Sequence, residues 1–173
     1  MLPKNANTKM LIWEAVTALN SVSKTAETFC AEMQQLAKLL PEYSVVMNTY
    51  GIGPATSPQL IVEIGDVRRF TQRGALIAYA GVNPQPSQSG KQRRSSDPIS
   101  RKGSNLIRKT LFQVMEALLR KSPSEKPVSQ FIDRKRDEGK PYFVYMTAAT
   151  NKFLRIYYAW VKEHLNTLRE YEK

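Results

Sequence analysis

The sequence predicts a mainly α-helical protein: an N-terminal coiled-coil-like helix, a helix-hairpin-helix element, and a small helical bundle with a basic, serine-bearing loop. Three observations lead there. Apolar residues recur at steps of three and four through residues 12–40, 105–121 and 142–171, the spacing of one helix face. Few runs alternate apolar and polar with period two, as half-buried strands do. Glycine turns at 51–54 and 65–66 punctuate the middle of the chain. The expected organisation is an assembly arm over 1–46 and a helix-hairpin-helix with the basic loop and following helix over 47–121. Closing helices over 122–173 are expected to pack on the same core.

In the arm, Ile12, Ala15, Leu19, Val22, Ala26, Phe29, Met33, Leu36 and Leu40 form a heptad seam, with Pro41 placed to stop it. Two arrangements stay open: the seam packs on its own domain, or it pairs with a second copy to give a homo-oligomer. Cys30, next to Phe29, reads as a small packing residue. Tyr50-Gly51-Ile52-Gly53-Pro54 then forms a turn entering a helix over 55–64. Its glycines, Gly51 and Gly53, are candidate phosphate contacts, because they let backbone N–H groups approach an anion at a helix start. A plain helix–helix corner is the alternative. Pro58 moves the expected helix start toward Ser57, where a proline fits the first turn.

The stretch QPSQSGKQRRSSDPISRKGSN, residues 85–105, holds six serines and sets Lys91, Arg93, Arg94, Arg101 and Lys102 against one acid, Asp97. The helix expected over 105–121 adds Arg108 and Lys109 on its polar face. A short helix is expected over 128–138, then a long one over 142–171. There Phe153, Tyr157, Trp160 and His164 read as a core stripe, with a base-stacking platform as the alternative.

Composition narrows the function classes. With 42% hydrophobic and 24% charged residues the chain is ordinary for a globular protein. The net charge of +11 is not ordinary, and favours anionic partners, nucleic acid first. Residues 83–126 carry ten Lys/Arg against three Asp/Glu, so most of the excess surrounds the serine-rich stretch. The longest apolar run, LIAYAGV, is too short for a span, which needs about 20 residues. No signal segment opens the sequence, so a cytoplasmic location is expected. One cysteine excludes an internal disulfide, and one histidine beside it leaves no thiolate–imidazole metal cluster.

The ordered run of segments at 51–54, 64–70, 79–84, 89–90, 91–94, 99–105 and 106–108 resembles the C-terminal transposase domain of the DEDD insertion-sequence transposases. This is the family of bridge-RNA-guided recombinases and the pilin-gene-inverting invertase. With GKPYFVYMTAATNKFLRIYYAW the resemblance covers roughly residues 47–161. It implies a prokaryotic, nucleoid-associated protein acting on DNA, with a structured guide RNA as a further expected partner. The family's nucleophilic serine precedes a glycine, which maps it to Ser89, with Ser87 as the fallback. The resemblance places magnesium on an N-terminal RuvC-like domain that this sequence does not contain, so no cofactor is expected in this chain and no activity from it alone. Two departures stand out: Ser95-Ser96-Asp97-Pro98 is inserted after the basic run, and 101–105 is one residue longer than the family pattern. A non-enzymatic helix-hairpin-helix binding or assembly module is the competing reading.

Overall fold

The structure is a computed structural model that describes residues 6–83, 99–100, 102–121 and 125–171. Among them it is mainly helical, with no β-strand. Helix α1 spans Ala6–Ala37, and contains neither glycine nor proline to interrupt it. The short α2, Tyr43–Met47, leads to α3, Thr56–Ile64, and a 3-10 turn at Val67–Arg69 precedes α4, Arg73–Ala80. Helices α5, Asn105–Lys121, α6, Pro127–Asp137, and α7, Tyr142–Tyr171, complete the order. Pro58 is the third residue of α3, where a missing N–H removes none of the helix's internal hydrogen bonds.

A single apolar cluster runs from Val46 to Leu165. Helix α5 packs on α3, and α7 packs on both α4 and α6. On α5, Ile107, Leu111, Val114, Met115 and Leu118 are buried, the recurrence expected of one helix face. Helix α7 buries two adjacent ridges at steps of four: Tyr145, Ala149, Phe153, Tyr157, Val161 and Leu165, and Met146, Thr150, Leu154 and Tyr158. The expected stripe of Phe153, Tyr157, Trp160 and His164 therefore holds only in its first half. A step of four drifts around the helix, so the buried face passes through Val161 and leaves Trp160 48% exposed. His164 instead reaches across to the loop after α1, with Nε2 2.9 Å from the Pro41 carbonyl oxygen. The Tyr158 hydroxyl donates to the Phe70 carbonyl at 2.9 Å, tying α7 to the segment before α4.

Helix α1 contributes little to this core. Ile12, Leu19, Val22, Phe29 and Leu36 are all more than half exposed, and Ala37 at its end is buried. Cys30 is exposed as well.

Candidate functional site

The described residues flanking 84–98 are drawn together at the end of α4. That helix stops at Gly81, whose left-handed φ of 67° and ψ of 27° suit a residue without Cβ. Gly103 lies directly against it. A Cβ on Gly103 would run into the Tyr79 carbonyl oxygen and the Gly81 nitrogen, and one on Gly81 would meet the Arg108 guanidinium. Hydrogen bonds hold this contact. Ser100 N–H donates to Asn83 O at 2.9 Å, and Ser104 N–H donates to Tyr79 O at 2.8 Å. The Asn151 side chain on α7 donates to Val82 O at 3.0 Å.

Arg108 closes the arrangement. Its Nη1 donates to the carbonyls of Ala80 at 3.3 Å and Gly103 at 3.2 Å, and Nη2 to Asn105 Oδ1 at 3.3 Å. Just before α5, Ser104 Oγ accepts from Ile107 N–H at 3.3 Å, the bond that caps a helix start. The same hydroxyl donates to Glu63 Oε2 on α3 at 3.2 Å. One residue thus starts α5 and fastens it to α3. Nearby, Asp66 accepts from the Arg68 backbone and side chain, and that partner holds its carboxyl below the ordinary value.

Of the residues expected to grip nucleic acid, Lys102 and Lys109 are exposed beside this junction, and Arg108 is half-buried within it. Ser89, its fallback Ser87, and Lys91, Arg93, Arg94 and Arg101 lie outside the described residues. Gly51 and Gly53 sit toward the other end of α5. From Arg108 to Leu118, against which Gly51 packs, is ten residues, or about 15 Å along the axis. Gly51 has φ 88°, and a Cβ there would strike Leu118, so this turn needs its glycine for packing. The Gly53 N–H is already used, donating to Thr56 Oγ1 at 2.9 Å. Beside the turn is a groove of about 900 Å³, lined by Tyr50, Glu116, Arg120 and Lys121 among others. Lys126 Nζ stands 4.6 Å from the centre of the Tyr50 ring.

Among the described residues no three of His, Cys, Asp or Glu are placed to hold a metal ion. Nor is any helix of the described residues long and apolar enough to cross a membrane.

Glu63, Gly81, Ser104 and Asn151 were not among the expected site residues. Two of them carried a readable local signal: Ser104, a serine standing just before an apolar helical run, and Gly81, a glycine just after one. The others join them only through contacts between residues distant in sequence.

Comparison with known proteins places the junction in a family. The pattern described as "Transposase IS116/IS110/IS902 family" matches residues 43–130, a span containing α2 to α5 and the Gly81–Gly103–Arg108 contact. The chain is 30% identical over 137 residues to a "Pilin gene-inverting protein" of Moraxella bovis, which covers 77% of this chain and 42% of that protein. The protein of the same name from Moraxella lacunata matches equally. A third relative is the "Insertion element IS110 uncharacterized 43.6 kDa protein" of Streptomyces coelicolor, 20% identical over 163 residues, 94% of this chain and 39% of that protein. The chain thus spans about two fifths of the length of these relatives. With the match covering half of its residues, and every junction residue but Asn151 lying inside the match, this chain belongs to the IS116/IS110/IS902 transposase family.

Proposed function

We propose that this chain is the DNA-handling part of a transposase or site-specific recombinase, and that it supplies Ser89 as the nucleophile. The observation that carries the reading is the family match over 43–130, which encloses both the serine and the junction at its flanks. The charge supports it: with ten Lys/Arg against three Asp/Glu over 83–126, the anion offered to this region is a phosphate backbone. Lys91, Arg93, Arg94, Arg101, Lys102 and Lys109 are the proposed contacts, for DNA and for a structured guide RNA alike.

The proposed step is a transesterification. Ser89 Oγ attacks a phosphodiester phosphorus and forms an Oγ–P bond while one P–O bond to deoxyribose breaks. The leaving oxygen takes that electron pair and a proton, and the serine proton passes to a Brønsted base. Cations beside the phosphate offset the charge that develops on its oxygens. Attack by another strand's hydroxyl reverses the step and frees the serine, so no external energy source is required.

The experiment is denaturant-resistant trapping of a protein–DNA adduct, using protein that spans the full length of the relatives. Ser89→Ala is expected to abolish the adduct and leave DNA affinity unchanged. An adduct of undiminished yield removes Ser89 from the role, and transfer of the loss to Ser87→Ala assigns it to the neighbour. The exposed seam of α1 favours a second reading beside the first: this helix pairs with the α1 of a second copy, so that the protein acts as an assembly.

A further inference from the structure

We infer that Arg108 is a positioning residue that straps together the two flanks of 84–98, and is not a phosphate contact. Its functional meaning rests on the serine reading above, but its geometry does not. A guanidinium that binds a phosphate presents its fork of N–H groups to solvent. Here Nη1 is directed at two backbone carbonyls, Ala80 O and Gly103 O, and Nη2 at Asn105 Oδ1. The first carbonyl belongs to the end of α4, before the segment, and the second to the approach to α5, after it. Arg108 therefore bonds to both flanks at once, from the first turn of a helix whose buried face lies in the core.

The surroundings fit that role and no looser one. The glycines at 81 and 103 leave the space the guanidinium and the Gly103 backbone occupy. Without the charge on Arg108 the two carbonyls lose a charge-assisted partner, the stronger class of hydrogen bond. Lysine is a poor replacement: its ammonium is a compact point charge, and cannot present a planar fork to three acceptors on different sides. Lysine does, however, replace arginine as a point charge beside a phosphate. Arg108→Lys thus separates the two roles.

The test is amide hydrogen exchange on this chain, read at Ser100 and Ser104, whose N–H groups bond across the junction. Both Arg108→Lys and Arg108→Ala are expected to raise exchange there about tenfold, with core amides of α7 unchanged. Asn105→Ala, which removes one acceptor, is expected to give a smaller rise. DNA affinity of Arg108→Lys is expected to equal that of the parent across a salt series. Unchanged exchange in Arg108→Lys overturns the inference, and it decides alone should Arg108→Ala not fold. So does a salt slope that drops by about 0.9 in Arg108→Ala and recovers in Arg108→Lys, the mark of one phosphate contact. In the adduct assay, Arg108→Lys is expected to lower the yield at saturating DNA at least tenfold with half-saturation unmoved, which lost affinity does not do. A parent protein that forms no adduct while exchange still responds sinks the serine reading and leaves the strap standing.

Discussion

Tyr157 heads the fully buried side chains by size, and its hydroxyl is inside the bundle with its ring. Burial pushes its acid dissociation well above the ordinary tyrosine value of 10.0. The folded state therefore holds this proton more tightly than the unfolded chain. Its contribution to stability is complete below pH 10 and is lost as pH rises further, because only the unfolded chain then ionises freely. The urea midpoint is expected to fall as pH rises from 10 to about 11, and that of Tyr157→Phe to fall less steeply over that window. Parallel curves assign the loss to other groups. Single residues also mark where sequence reasoning stops. Gly51 and Gly53 were legible as a turn, but not that one is filled by Leu118 and the other's N–H taken by Thr56. Arg108 read as one more cation in a basic stretch, since its three acceptors are set by tertiary contacts.

Helices were the most legible level. The expected spans 105–121 and 142–171 coincide with α5 and α7, because long amphipathic runs carry several turns of the same signal. Helix α2 is five residues and the turn at Val67–Arg69 three, too short to show a period, and neither was foreseen. The heptad seam of α1 was read from spacing alone, and the structure leaves it uncovered. Pairing of two such helices predicts a clear experiment. Leu19→Glu with Val22→Glu sets charges in the middle of the seam, and sedimentation is expected to shift from dimer to monomer while the helical bundle keeps its melting temperature. A parent chain that is monomeric at every concentration removes the pairing.

For the molecule as a whole, the balance of charge is the governing property. A chain of net charge +11 that engages three to five phosphates is expected to lose DNA affinity with log salt at a slope of about −3 to −4.5. Alanine at Lys91, Arg93 and Arg94, with Lys102 and Lys109, is expected to flatten that slope. A slope that stays steep places the contacts elsewhere, with the Arg120, Lys121 and Lys126 end of α5 next in line. How the two ends of α5 divide the cations was not legible, because sequence order does not show that 51 sits over 118. The arm also gives the assembly a built-in reporter. Cys30 is the one thiol in the chain, and it is exposed on α1. A pyrene attached there labels a single position. In a parallel, in-register pair the two dyes lie side by side and emit as an excimer. In an antiparallel pair crossing at the helix midpoint they stand about 25 Å apart and emit singly. Emission colour thus reads whether two copies present their basic bundles at the same end of the arm or at opposite ends.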